Sequence, residues 1–450
     1  MKSWLIESRK TRISDIPQQK KFVTLKEYEG LCKHIDGKAL GYQYLNEHAF
    51  DQLERFILEN KGGEQGTDAL ELLSVTSRRG IGKLISARNY VGIITMADGT
   101  QVEILPKVFD KNNESSDEET KRIFLHMLSV TGEIPYKIFR QSGLHTERHT
   151  ISDIFIRMFI NEANRLVKHG LKSNYVVHQS NEQFLKGKLQ FAEHIKHNAA
   201  HKERFYIQYD LFSVNRPENR LIKSTIELLL KISTGSRNKK DLHILLNSFD
   251  QVESSLNWKQ DWSSVTMDRS NKEYQTIMEW CRVFLLGHSF TPFRGDGAAY
   301  ALLFPMEKIF ERYVAVLLRK SLTPEGLKVR TQDQSQHLFQ SPSRFNLRPD
   351  IVVEGNGKVV VLDTKWKLLT LRPDYGISQA DMYQAYVYAK KYGARTVYLL
   401  YPWHPGLSII TKPVVYDSGD GVNVKIGFID LSLGKDSVYK IIESMLETMK

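Results

Sequence analysis

Apolar residues change their spacing several times along the chain. Residues 1 to about 60 combine a strand-like opening, FVTLKEY, with a run of helical period, AFDQLERFILEN. From Leu72 to Lys107 apolar and polar positions alternate in twos, in ELLSVTS, KLISARNYVGIITMA and TQVEILPKV. Turn pairs at Arg79-Gly80 and Asp98-Gly99 interrupt that alternation, which predicts a small antiparallel sheet or barrel. The acidic, aperiodic DKNNESSDEET of residues 110–120 reads as a loop or linker. From Lys121 to about Gly287 apolar residues recur at three and four, as in IFIRMFINEANRLVKHG, NRLIKSTIELLLKIS and EYQTIMEWCRVFLLG, so a helical stretch is expected. After GHSFTPFRGDG a helix, PMEKIFERYVAVLLRK, leads into RPDIVVEGNGKVVVLDTKWK. A helix at 379–392, a buried strand (ARTVYLLYP), another strand (VKIGFIDLS) and a closing helix follow. That alternation predicts an α/β domain. The expected division is a β-rich domain over 1–110, a helical region over 121–287 and an α/β domain over 290–450.

Length and composition agree with several domains. The chain has 450 residues, 41% hydrophobic and 26% charged, as a water-facing globular protein has. Stretches such as VVVL and TVYLLYPW are too short to span a bilayer. MKSWLIESRKTR is charged from its second residue and lacks a signal peptide's apolar core, so a cytoplasmic location is expected. Cys32 and Cys281 cannot form a disulfide framework or a closed zinc site. The net charge of +11 favours a polyanionic partner, nucleic acid or an acidic protein surface.

The candidate chemistry lies in the Gly-Asn-Gly hairpin. Asn-Gly is the strongest two-residue signal for a type I′ turn, which pairs Gly355 with Lys358. Carried back from that turn, the register opposes Asp350 and Asp363, with Cβ atoms roughly 5 Å apart. Lys365, two residues on, projects from the same face. Two close carboxylates repel unless a cation sits between them. A hard divalent ion such as Mg²⁺, with Mn²⁺ as a substitute, takes oxygen ligands and suits the pair. A lysine beside it can orient water or hold charge on a phosphate, as metal-dependent phosphodiester hydrolysis requires. On the preceding helix Glu307 and Glu311 share a face, and either could add a third carboxylate. On the following helix Gln384 and Tyr388 are likewise four apart, within reach of one phosphate or water.

These residues resemble the PD-(D/E)xK nuclease superfamily and, more narrowly, the McrC family, the nuclease subunits of McrBC modified-cytosine restriction systems. Pro349-Asp350 followed by Asp363-Thr364-Lys365 is similar to the catalytic core, and Tyr383-Gln384 with Tyr388 to its Q-x-x-x-Y helix. FPMEKIFERYV resembles the helix before that core, where Glu311 fits the usual Phe-Glu step. LKGKLQFAEHI and NRPENRLIKSTIELLL resemble the family's middle region, and the likeness runs over roughly residues 75–440. The resemblance implies an α+β multidomain fold: a β-rich N-terminal domain, a helical middle region and a C-terminal restriction-endonuclease-like α/β domain. It implies an Mg²⁺-dependent DNA endonuclease with Asp350, Asp363 and Glu311 on the metal and Lys365 on the attacking water. It also implies double-stranded DNA as substrate and an McrB-like AAA+ GTPase ring as partner, its GTPase stimulated by this chain.

SRRGIGKL approaches a nucleotide-binding P-loop, but Ser77 stands for the first Gly and Leu84 for the magnesium-binding Ser/Thr, so no bound nucleotide is expected. In the family a β-rich N-terminal part docks on the ring, which makes 72–107, with Arg78, Arg79 and Lys83 near a turn, the candidate docking region. His194, His197 and His201 share a helical spacing without a completing carboxylate and read as a basic surface. Cys281 reads as core. Lys186, Lys188, Arg216, Arg220 and Lys223 suit either a DNA track or a solvated face. Two alternatives stand beside the restriction nuclease: a RecB-like repair nuclease working alone and a non-catalytic adaptor of an AAA+ motor.

Overall fold

A computed structural model describes residues 22–59, 73–96, 98–108, 115–134, 150–265, 272–286, 299–410 and 413–449. Leu72, the N-terminal MKSWLIESRKTR stretch and the GHSFTPFRGDG stretch lie outside them, as do the expected boundary positions 110, 287 and 290. The chain forms two compact units, one from residues 1–88, 93–104 and 293–301, the other from 89–92, 105–292 and 302–450.

The first unit holds β1 (Phe22–Lys26), β2 (Gly30–Cys32), β3 (Gln43–Tyr44), α1 (Glu47–Glu59), β4 (Leu73–Arg78) and β5 (Gly82–Ala87). β6 (Tyr90–Met96) and β7 (Gln101–Leu105) follow. A four-stranded sheet runs β3-β2-β5-β4, and β1, β7 and β6 lie side by side. α1 buries Ala49, Phe50, Leu53, Phe56 and Ile57, the stripe its period predicts. SRRGIGKL spans the β4–β5 hairpin, where Arg78 opposes Gly82. A P-loop joins a strand to a helix, so the topology also differs from a nucleotide site here.

In the second unit α2 (Ser115–Thr131) starts inside the segment expected to be a loop. Asp117 and Glu118 stand in its first turn, where negative charge suits the free N–H groups. α3 (Ile151–His169) opens on Thr150, whose hydroxyl accepts from the Asp153 N–H at 3.0 Å. The region expected to be helical also contains a sheet. β8 (Asn174–Glu182), β9 (Lys188–Leu189) and β10 (Phe205–Ser213) pair in the order β8-β10-β9, with α4 (Phe191–Asn198) between β9 and β10 in sequence. Aromatic and β-branched residues in FYIQYDLFS favour the extended backbone there. Gly187 in LKGKLQ lets β9 approach β10, since a Cβ would stand 2.4 Å from the Gln208 carbonyl oxygen. α5 (Pro217–Ile232), α6 (Ser236–Asn247), α7 (Trp258–Ser263) and α8 (Lys272–Cys281) complete the region around Phe155, Phe159 and Trp280.

β11 (Ala299–Pro305) runs into α9 (Met306–Leu322) and β12 (Lys328–Thr331). Next come β13 (His337–Gln340), β14 (Ser343–Asn346), β15 (Ile351–Gly355), β16 (Lys358–Thr364) and α10 (Gln379–Tyr392). β17 (Thr396–Pro402), β18 (Val414–Asp417), β19 (Asn423–Ile429) and α11 (Tyr439–Met449) end the chain's described part. A six-stranded mixed sheet runs β12-β15-β16-β17-β19-β18, with β16, β17 and β19 parallel. Successive residues of β17 serve opposite faces. Val397, Leu399 and Tyr401 pack with Ala385, Tyr388 and Ala389 of α10, while the Tyr398 hydroxyl meets Ser444 of α11 at 2.8 Å. α10 has the capping its ends require: Ser378 accepts from the Asp381 N–H, and Gly393 closes it in the left-handed conformation. Among the described residues no helix is long and apolar enough to cross a membrane.

Candidate active site

The hairpin turn sets the site. Asn356 and Gly357 have φ of 51° and 70°, as a type I′ turn demands, and Gly355 opposes Lys358. The pairing runs back to Ile351 opposite Leu362, so Asp350 lies one step beyond it, at the level of Asp363. β16 ends at Thr364, but the Lys365 N–H bonds the Leu400 carbonyl at 2.8 Å and keeps that residue at the sheet. Asp363 and Lys365 therefore stand at the carboxyl end of a parallel strand, the end where open α/β sheets place ligands.

The carboxylates are held by short contacts. Asp350 Oδ2 accepts from both the backbone N–H and the hydroxyl of Thr364, each at 2.7 Å. Gln332 donates to Asp350 Oδ1 at 3.3 Å and also to Glu311, while its N–H bonds the Asp350 carbonyl at 2.9 Å. Gln332 does this at a φ of 52°, a backbone state unusual for a residue with a Cβ. Lys365 Nζ stands 2.7 Å from Asp363 Oδ2 and donates to Gln384 Oε1 at 3.0 Å. Gln384 in turn donates to the Tyr388 hydroxyl at 2.8 Å. All six predicted residues meet in this one cluster. Glu311 is the helix carboxylate that faces it, whereas Glu307 is exposed and accepts from Asn89 at 2.6 Å.

The electrostatics tie the three acids together. Burial, followed by the charge of Glu311, pushes Asp350 up to about 6. Burial, followed by the charge of Asp350, pushes Asp363 up to about 6. Glu311 is raised by burial and by Asp363, against the Gln332 hydrogen bond. Burial works against the Lys365 charge, yet Asp363 and Asp381 outweigh it and hold the ammonium above its ordinary value. Among the described residues no three His, Cys, Asp or Glu side chains stand in ready metal-ligand geometry. The donor set still fits a hard cation. It is all oxygen, its members repel one another, and buried Asp363 Oδ2 lacks a directed hydrogen bond despite the nearby ammonium.

Three further residues belong to this neighbourhood. Asp381 is buried, accepts from Lys367 Nζ at 2.9 Å and lies 3.8 Å from Lys365 Nζ. It precedes Gln384 by three and Tyr388 by seven, so helical spacing could have found it. Gln332 and Thr364 had no such signal, since both act from strand ends. The other constellations stay apart from the site. His194 accepts from the Tyr206 N–H, His197 faces Glu193, and His201 lies beyond the end of α4 beside Glu203. Arg216 pairs with Glu218 and Arg220 with Asp261, while Lys223 donates to the Phe249 and Val252 carbonyls. Arg216 thus serves the start of its own helix, while Arg220 and Lys223 tie α5 to the segments packed on it. Cys281 is fully buried, its thiol pushed up to about 12 by burial.

Residues 85–402 match the family model described as McrBC 5-methylcytosine restriction system component. The chain belongs to the McrBC family. No curated protein matches it. This McrBC family member is similar in fold to a chain of a Thermococcus gammatolerans assembly of McrB AAA+ hexamers with bound McrC. The TM-score is 0.69 at 20% identity, over 93% of this chain and 100% of that one. A chain of the McrBC complex from the same organism matches at 21% identity and a TM-score of 0.48, over 67% of this chain and 88% of that one.

Proposed function

We propose that this chain is the Mg²⁺-dependent endodeoxyribonuclease subunit of a modification-dependent restriction complex, with a PD-(D/E)xK nuclease domain over its C-terminal sheet. It cleaves double-stranded DNA when assembled with an McrB-like AAA+ GTPase and stimulates that GTPase. The observation that carries this reading is the cluster of Glu311, Asp350 and Asp363 with Lys365 held between Asp363 and Gln384. A family model naming a restriction-system component, and a similar fold in an assembly of McrB with bound McrC, support the partner.

Asp350, Asp363 and Glu311 would hold the cation, with Mn²⁺ able to replace Mg²⁺. The cation supplies Lewis-acid polarisation of the scissile phosphate. Thr364 and Gln332 keep Asp350 oriented, so its free lone pairs face the cluster. Lys365 stays an ammonium through neutral pH, because its carboxylate neighbours raise it. It therefore donates to the attacking water or a phosphate oxygen and does not act as the base. Gln384, backed by the Tyr388 hydroxyl, fixes where that ammonium points. In the reaction a water oxygen bonds to phosphorus and gives up a proton to solvent, the P–O bond to the leaving sugar oxygen breaks, and that oxygen takes up a proton from solvent.

An omission series tests the assignment. A duplex with modified cytosines should be cut only when this chain, an McrB-like partner, GTP and Mg²⁺ are all present, and a chelator should stop cleavage. Cutting by the chain alone without nucleotide would instead establish a stand-alone nuclease. GTPase stimulation with no cutting under any metal would establish a non-catalytic adaptor.

A further inference from the structure

The chain between Gln332 and Asp350, two residues of the candidate site, forms a projecting ribbon. β13 and β14 pair only with each other, Phe339 opposite Arg344 and Gln340 opposite Ser343. The ribbon's base is anchored at the site. The Gln332 N–H bonds the Asp350 carbonyl, and the Leu347 N–H bonds the Gln336 carbonyl at 2.9 Å. Asp333 pairs with Arg330 and accepts from the Tyr392 hydroxyl at 3.0 Å. Beyond the base, every residue from Phe339 to Asn346 is exposed. Phe339 and Phe345 are 56% and 71% exposed and pack edge-on at 5.9 Å.

A two-stranded ribbon with four-residue strands has no core of its own, and beyond their one mutual contact its phenylalanine rings stay open to solvent. Its composition points to a polyanion. From Gln334 to Arg348 there is no Asp or Glu, while Arg344, Arg348, Gln340 and Asn346 offer donors. The Arg348 charge bears on Glu311, so the basic side of the ribbon is continuous with the acid cluster. A duplex major groove admits a two-stranded ribbon, and Arg, Gln and Asn are the side chains that pair with base edges.

We propose that the β13–β14 ribbon grips duplex DNA beside the scissile phosphate, with Arg344 and Arg348 on the phosphates and Phe339 and Phe345 against sugars and base edges. The inference rests on the nuclease reading of the adjacent site. Its test is binding of the full-length chain to a fluorescent duplex in Ca²⁺ across a salt series. Arg344→Ala combined with Phe345→Ala should weaken binding at least about tenfold, and Arg344→Ala alone should lower the salt slope by about one. Arg344→Lys should restore the slope, and the melting temperature should stay that of the parent because both side chains are exposed. Parent-like affinity of the double variant, no duplex binding by the parent, or tighter binding to single strands would overturn the proposal. Ribbon variants that bind normally while Asp363→Asn is inert would overturn the ribbon alone. Cleavage by Asp363→Asn would overturn the nuclease reading whatever the ribbon variants do.

Discussion

Lys365 and Lys367 are two residues apart and differ in their surroundings. Lys365 is enclosed by Asp363 and Gln384, while Lys367 reaches only Asp381 with about half its side chain in water, at 49% exposure. Lys365→Ala should slow single-turnover cleavage by about 10² to 10³, by analogy with removing one donor to developing charge. Lys367→Ala should stay within about fivefold, the worth of a screened ion pair. Equal effects of the two would remove Lys365 from the chemistry. The aspartates carry a pH dependence of defined sign. Folding raises Asp350 and Asp363 from 3.8 to about 6, with the Lys365 attraction already included. Between those values the folded chain holds protons that the unfolded chain has released, so acidification favours folding. The pair's contribution to stability is thus full below pH 3.8, is lost as pH rises through about 6 and is flat well above it. Metal-free Asp363→Asn should therefore be more stable than the parent at pH 7.5, by about 1 to 3 kcal/mol. That advantage should shrink towards pH 4, and a parallel pair of melting curves against pH would contradict the repulsion. Mg²⁺ should raise the melting temperature of the parent and not of the variant.

At the scale of elements, the type I′ turn sets the register that carries the site. Gly357 holds a φ of 70°, where a Cβ is disfavoured. Gly357→Ala should cost about 1 to 2 kcal/mol in denaturant unfolding and leave the cleavage rate of the folded complex unchanged. A rate loss larger than the stability loss would mean that the turn acts directly in the site. The same turn made Asp350, Asp363 and Lys365 legible in advance, since period-two alternation propagates a register from one fixed pair. Gln384 and Tyr388 were legible by helical spacing, and Asp381 could have been. Glu311 and Glu307 could not be separated that way. Both lie on one stripe of α9, and only the strand end carrying Gln332 decides which is enclosed. The sheet of β8, β9 and β10 is not legible from spacing, because the flanking helices dominate the periodicity of this region while FYIQYDLFS carries its strand signal in residue type. The basic residues of α5 were ambiguous because partners such as Asp261 are 41 residues away in sequence.

At the scale of the whole molecule, a net charge of +11 on a chain with internally paired helix cations leaves its uncommitted charge elsewhere on the surface. In the candidate docking hairpin Arg78 donates to the Tyr42 hydroxyl and Lys83 pairs with Glu54, while Arg79 makes neither contact among the described residues. Arg79→Glu should thus reduce stimulation of the partner's GTPase without lowering the melting temperature, and undiminished stimulation would move the docking surface away from β4–β5. The central claim is that the carboxylate cluster performs the phosphodiester hydrolysis. Its most direct test is single-turnover cleavage of a modified duplex by the assembled complex with GTP and Mg²⁺, comparing the parent with Asp363→Asn. The account predicts a fall of at least about 10³ with assembly and GTPase activity intact. A cleavage rate within about tenfold of the parent would contradict it.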